Sequence, residues 1–372
     1  MLRALCVALL ACVAHAQPDA IQLDNEAQFM DLEQERAFYA STPDNHPEFD
    51  SFAKPHRSVT DPTACNGYVG YCNKTFGQVL WIGAHNSMSD VGEAIQRNQF
   101  VDSPTLLKAG VRYFDVDTCT FSEDGRRTSV RVCHGTNELL VQNYQDLLPP
   151  LQQMKRWLDL HPREVVILNF GDIADFSDGL TGEPSEPLKN AIADTVREAF
   201  GEMAILKGDT LDARVSADQA TLQELIDANQ RVVVNVGKET TIRHPLAKYW
   251  GQNDRVCHDA WYPGSLRMNI FTRAFDWQSV FHVVEHTMRQ PCGKAPKTLN
   301  KLEWAFRTLL ASAIDRKDIG VTLNRYMTDL HKVNRHQAAP FHPFNLILTD
   351  HSDKWSQYYD SWHRLHLQWF EK

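Results

Sequence analysis

Several things are missing from this 372-residue chain, and each absence narrows what it can be. Past the first sixteen residues no stretch approaches the roughly 20 apolar side chains that a membrane span needs, so a helical membrane protein is not expected. Positive charge is in deficit: 38 Lys and Arg stand against 47 Asp and Glu, a formal net charge of −9. A general attraction to nucleic acid or to an acidic membrane is therefore not expected. No Cys-x-x-Cys pair occurs and the cysteines lack suitably spaced histidines, which argues against a zinc module. The first strand-like run leads into GAHNSM, with neither GxGxxG nor a Walker lysine, so dinucleotide and P-loop cradles are excluded. There is no solenoid repeat.

What is present begins with Arg3, the apolar run LCVALLACV and Ala14-His15-Ala16, the pattern of a signal peptide over residues 1–16. The C-terminal LHLQWFEK is too polar for an anchor signal, so an exported, soluble, extracellular protein is expected. Loss of the leader removes Arg3 and no acid, taking −9 to −10. Cys6 and Cys12 leave with it. The six remaining cysteines suit disulfides in an oxidising compartment, and proximity favours Cys65–Cys72, Cys119–Cys133 and Cys257–Cys292. Asn73-Lys74-Thr75 is a glycosylation acceptor. Residues 17–60 are acidic, carry Pro43, Pro47 and Pro55, and have few aliphatics; they read as an N-terminal extension.

From residue 61 to 372 the texture is that of a single domain. Short β-rich runs, VLWIG (79–83), VRYFDVD (111–117), VVILNF (165–170), VVVNV (232–236) and NLILTD (345–350), are separated by helical or loop material. Leu151, Met154 and Leu158 repeat at helical spacing, as do Leu188, Ile192, Val196 and Phe200. A third helix is predicted through Leu302, Ala305, Phe306 and Leu309. Apolar strands alternating with helices predict a parallel sheet buried on both faces. About 275 residues of this alternation predict an α/β fold of the (β/α)8 barrel type, with an open doubly wound sheet as the rival.

Polar residues end three of these strands: VLWIGA meets His85-Asn86-Ser87, GVRYF meets Asp115-Val116-Asp117, and RVC meets His134-Gly135. At the C-terminal ends of barrel strands such residues face the site. Alternation places Asp115 and Asp117 on one face, where two carboxylates repel unless a cation, a proton or a basic group lies between them. With Asn86 as a neutral oxygen donor, Ca²⁺ is the natural occupant and Mg²⁺ the second candidate. Two flanking histidines can exchange protons near neutral pH.

GAHNSM, GVRYFDVD, VCHG and EVVILNF, in that order, resemble the X region of phosphatidylinositol-specific phospholipases C and related X-domain proteins, over residues 76–173. The resemblance implies a distorted (β/α)8 barrel that cleaves a lipid phosphodiester by attack of the inositol 2-hydroxyl. It implies His85 as general base or phosphorane stabiliser and His134 as the acid that protonates the departing glycerol oxygen. Metal-independent members carry Arg where this chain has Asp117. With Asn86, Asp115 and Asp117 it resembles the calcium-dependent branch. That branch has a further Glu where this chain shows Gly171, so Asp172 or Asn169 is the expected substitute. Asp350, ending the last strand, is expected to orient a catalytic histidine.

Arg112 opposes Asp115 in parity and reads as a structural ion pair rather than a phosphate contact. Lys238 is a candidate headgroup contact, and Trp250, Trp261 and Trp277 are candidates for transient contact with a membrane surface. His258, His282 and His286 show no ligand spacing. A monomer acting on a phospholipid headgroup, without nucleic acid, is expected. Two rivals stand beside this reading. One is a related barrel phosphodiesterase for glycerophosphodiesters or sphingomyelin; the other is a degenerate barrel that binds inositol phosphate without turnover. No pleckstrin, EF-hand or C2 module is recognisable, which argues for a stand-alone enzyme.

Overall fold

The computed structural model describes residues 61–91, 97–134, 141–177, 182, 185–205, 210–216, 218–236, 345–350 and 352–368, with the backbone of 256–261 and 299–304. The extension 17–60, the leader, Lys238, Cys292, Trp250, Trp277, His282 and His286 lie outside these residues, as do the side chains of Cys257, His258 and Trp261.

In chain order the strands are β1 (Trp81–Ala84), β2 (Tyr113–Glu123), β3 (Arg126–Arg127), β4 (Arg131–His134), β5 (Gln142–Asp146), β6 (Val166–Phe176), β7 (Val232–Val236), β8 (Val256–Trp261), β9 (Leu299–Trp304) and β10 (Leu346–Thr349). β1 and β10 are buried along their whole length, as is the first half of β6. Such runs have no solvent face and need a layer on each side, which a parallel sheet supplies. Laterally the parallel strands run β8-β9-β10-β1-β2-β6-β7. The first strand thus lies beside the last, in the cyclic order a barrel requires. The expectation of a closed barrel is met only in part: among the described residues no ladder joins β7 to β8. What stands is a mixed α/β fold with an extended, mainly parallel sheet.

The helices include α1 (Ser103–Ala109), α2 (Leu148–Leu160), α3 (Glu186–Phe200), α4 (Thr210–Ser216), α5 (Leu222–Asp227) and α6 (Ser356–Leu367). The α2 helix buries Leu151, Met154 and Leu158, and α3 buries Leu188, Ile192, Val196 and Phe200, at the predicted spacings. Each such side chain contributes about 1.5–3 kcal/mol on leaving water. Caps set where helices begin and end. Asp102 accepts from Thr105 N at 2.9 Å at the start of α1, and Gly110, at φ 105°, ends it in a left-handed turn that only glycine adopts cheaply. That turn aims the chain into β2.

The helix predicted through Leu302 is corrected: Leu299–Trp304 is strand β9, with Leu302 opposite Ile347 of β10. At Leu302 pairing with β10 outweighed the helical spacing, while Ala305, Phe306 and Leu309 lie outside the described residues. Arg112 forms the expected ion pair, with Glu164 at 2.7 Å. Two disulfides are present, Cys65–Cys72 and Cys119–Cys133, as predicted. Asn73 is exposed in a turn, accessible as an acceptor must be. Among the described residues no helix is long and apolar enough to cross a membrane.

Candidate active site

Register brings the strand-end residues to one level. Ala84 of β1 pairs with Thr349 of β10 and with Phe114 of β2. The next residues, His85, Asp350 and Asp115, therefore emerge side by side, and Asp115 is itself opposite Asn169 of β6. There β1 stops, while β2 runs on for nine more residues, Asp115–Glu123. The edge released by β1 is taken by β4, antiparallel, with Thr118 opposite Val132. This exchange of neighbours carries His134, the last residue of β4, to Asp117. The disulfide between Cys119 and Cys133 ties the same two strands beside both residues.

Two histidine–aspartate pairs result. His85 Nδ1 donates to Asp350 Oδ1 at 2.8 Å, because a carboxylate only accepts, and its Nε2 therefore carries the ring lone pair. His134 Nδ1 bonds Asp117 Oδ2 at 2.7 Å. That hydrogen bond raises the His134 pKa above the ordinary histidine value, against burial and the nearby His85. Asn86 lies between the pairs, in a left-handed turn at φ 43° that asparagine tolerates better than most residues. Its Nδ2 donates to Asn98 Oδ1 at 3.0 Å and lies 3.3 Å from His134 Nδ1. Since Nδ1 is already committed to Asp117, we read the longer contact as packing.

Asn86 Oδ1 is buried and has no protein partner, an orphan that costs free energy unless something binds it. Asp115 and Asp117 are buried nearby, their backbone pinned by Ser87, whose N and Oγ donate to Asp115 O at 2.7 and 2.8 Å. Asn169 Nδ2 donates to Asp115 Oδ1 at 2.7 Å. Between Val116 and Thr118 the ladder slips, so that Gly171 and Asp172 together oppose Asp117. Through this bulge the backbone N of Asp172, rather than its carboxylate, meets Asp117 Oδ1 at 3.3 Å. A Cβ on Gly171 would lie 3.3 Å from Asp115 Oδ1 and 3.9 Å from Asp117 Oδ1. Position 171 therefore faces both carboxylates, and glycine leaves that space to something else.

These donors suit a hard cation: an orphaned amide oxygen, two carboxylates and an open side. Among the described residues there is no cluster of three or more His, Cys, Asp or Glu arranged to hold a metal. The Asp172 backbone N and Asn169 Nδ2 each donate to one of the two carboxylates. Arg112 is turned away beneath the sheet. The strand-end motifs missed Asn98 and Gln99, two buried amides behind the site whose only sequence signal is adjacency to Phe100 before α1.

The chain is similar to several known proteins. The family model PI-PLC X 1 matches residues 71–244. A PI-PLC X domain-containing protein 1 of Arthroderma benhamiae is 31% identical over 189 residues, 50% of this chain and 56% of that protein. The human protein of that name is 28% identical over 160 residues, 42% of each chain. A further A. benhamiae relative, named an uncharacterized secreted protein, is 30% identical over 113 residues, 30% of this chain and 24% of its own length. The matches thus span about half or less of these relatives. Among solved structures, the phosphatidylinositol-specific phospholipase C of Listeria monocytogenes superposes with a TM-score of 0.51 at 12% identity, covering 85% of this chain and 98% of its own. A variant of the Staphylococcus aureus enzyme gives 0.50 at 14%, covering 82% and 99%. At such identity these two speak for the fold alone. Residues 71–244 thus match the PI-PLC X-domain family model, and the chain is similar to curated proteins named for that domain.

Proposed function

We propose that the chain is an exported phosphodiesterase that cleaves phosphatidylinositol-type lipids, with its sheet completed into a barrel around the site. The observation that carries the reading is the facing pair of histidine–aspartate couples, His85–Asp350 and His134–Asp117, at one end of the strands. His85 Nε2 takes the proton of the inositol 2-hydroxyl. The freed oxygen attacks phosphorus, the bond from phosphorus to the glycerol oxygen breaks, and His134 gives that oxygen its proton. Diacylglycerol and inositol 1,2-cyclic phosphate leave. Two positioned proton-transfer groups of this kind contribute about 10²–10⁴-fold each.

Asp350 holds His85 in the tautomer a base needs, and Asp117 favours the protonated His134 that an acid needs. Asn86 Oδ1, Asp115 and Asp117 would hold Ca²⁺, which when bound offsets the phosphate charge. Disulfides and a secreted relative support export after loss of residues 1–16, with glycosylation at Asn73. Headgroup contact by Lys238 and surface contact by the tryptophans belong to the same proposal. Gly171 favours a second reading, inositol-phosphate binding without turnover, because it leaves the cation site short of an acid.

Phosphorus NMR of the products from phosphatidylinositol, with Ca²⁺ or with chelator, separates these readings. A cyclic phosphate signal that vanishes in chelator, in His85→Ala and in His134→Ala is expected. Full turnover in chelator sinks the cation and spares the histidines. No turnover of phosphatidylinositol, lysophosphatidylcholine or sphingomyelin, with inositol phosphate still bound, leaves the binding protein.

A further inference from the structure

Asn98 and Gln99 are consecutive and buried, and they do different work. Gln99 splices backbone: Nε2 donates to His85 O at 2.8 Å and to Thr349 O at 3.0 Å, and Oε1 accepts from Ser352 N at 2.9 Å. It joins the ends of β1 and β10. The Asn98 side chain instead touches side chains of the site. Nδ2 donates to Asp350 Oδ1 at 2.9 Å, and Oδ1 accepts from Asn86 Nδ2 at 3.0 Å. Its backbone N reaches Ser89 Oγ at 3.3 Å, which holds the loop in place.

An amide has one donating and one accepting end, so these contacts are not independent. The Asp350 carboxylate only accepts, and Asn98 must turn its NH₂ toward it. The Asn98 oxygen then faces Asn86, which must answer with its own NH₂. Asn86 Oδ1 is the atom left over, and it is the buried oxygen with no protein partner.

We infer that Asn98 is a positioning residue that relays the polarity of Asp350 into Asn86. The carboxylate that sets the His85 tautomer thereby also decides which atom Asn86 presents to a cation or to the substrate phosphate. This rests on the proposed function for what Asn86 Oδ1 meets, but the relay itself rests on hydrogen bonds within the chain. Two steps of the chain are amide orientations: Asn98 is held by one hydrogen bond at each end, and Asn86 by its bond to Asn98. Removal of the middle member frees Asn86 to turn either end inward.

Two variants of the full chain test it. Asn98→Leu keeps the volume and removes both bonds. Asn98→Asp keeps an acceptor for Asn86 and puts a charge beside Asp350. A residue that merely fills space tolerates Leu better than Asp; the relay requires the reverse at Asn86. The readouts are hydrogen exchange of the Asn86 side-chain NH₂ by nitrogen-15 NMR and Ca²⁺ affinity by calorimetry, with Tm as the folding control. Protection of the Asn86 NH₂ is expected to persist in Asn98→Asp and to be lost in Asn98→Leu, with a fall in Ca²⁺ affinity of about 10- to 100-fold in the latter, the usual scale for removing a group that orients a ligand. Equal protection in wild type and Asn98→Leu overturns the relay. If the Leu variant does not fold, loss of protection in Asn98→Asp alone overturns it. A wild type that binds no Ca²⁺ removes the cation from the proposed function, and the exchange result still decides the role of Asn98.

Discussion

Replacement of Glu164 by Gln tests whether Arg112 belongs to the scaffold or to the substrate. Both members of the pair are nearly inaccessible, Arg112 at 4% and Glu164 at 1% exposure. Arg112 Nε donates to Glu164 Oε2 at 2.7 Å, Nη1 donates to Leu107 O and Val111 O at 2.7 Å, and the guanidinium lies 5.0 Å over the Trp157 ring. Gln keeps an oxygen for Nε but removes the only carboxylate bonded to this buried charge among the described residues. Breaking a buried pair costs about 3–5 kcal/mol. The two carbonyls and the aromatic face still hold the cation, which argues for the lower end, about 3 kcal/mol. At about 2–4 °C per kcal/mol for a domain somewhat smaller than this one, Tm should fall by about 6–12 °C. The assay is calorimetry on wild type, Glu164→Gln and the apolar pair Arg112→Met with Glu164→Leu. The pair should recover much of the loss, since apolar replacement of a buried ion pair is often neutral or better. A Glu164→Gln variant within 1 °C of wild type, or a double variant less stable than the single, refutes the structural assignment.

The remaining predictions concern the cation site, the β2–β4 tie and a buried histidine. Gly171→Glu adds a third carboxylate beside Asp115 and Asp117, so Tm in chelator should fall and the rise on adding Ca²⁺ should exceed that of wild type; an unchanged Ca²⁺ response contradicts the cation reading. Cys119→Ala with Cys133→Ala opens a loop of sequence separation 14, and the urea midpoint should drop by the equivalent of about 3 kcal/mol; a midpoint unmoved by the double change shows that β4 is held without the bond. His366 is buried, with Nε2 donating to Gln78 O at 3.2 Å, and burial lowers its pKa to about 4, with Lys74 nearby adding to the effect. The unfolded chain then binds the proton first. Stability should be whole above about pH 6.5, decline as pH falls toward about 4, and lose about 3 kcal/mol in all; His366→Gln should flatten that part of the curve. A wild-type curve without this slope contradicts a neutral buried His366.

What was legible from sequence is what short-range chemistry encodes. Helical spacing at Leu151, Met154 and Leu158 needs only the period of the helix, and β1 and β10 declare their burial by composition. Cys65–Cys72 and Cys119–Cys133 follow from proximity along the chain. His85, Asp115, Asp117, His134 and Asp350 were readable because each closes an apolar, strand-like run, although β2 continues past the two aspartates to Glu123. The error at Leu302 has the same root, since spacing along the chain does not show which neighbour a residue will pair with.

The partners within the site were decided by tertiary structure alone. Which aspartate serves which histidine depends on where β1 stops and β4 takes over its edge of β2, a fact of register between segments far apart in the chain. The bulge that turns Gly171 and the Asp172 amide toward Asp117 is a mismatch between two strands and exists in neither one alone. The orientation of Asn86 follows from a carboxylate 264 residues downstream, through Asn98. Sequence by itself determined that two histidines and three acids would stand at the ends of strand-like runs. Hydrogen bonds obey direction and distance in space, so only the folded chain could say that they form two opposed pairs with an amide relay between them.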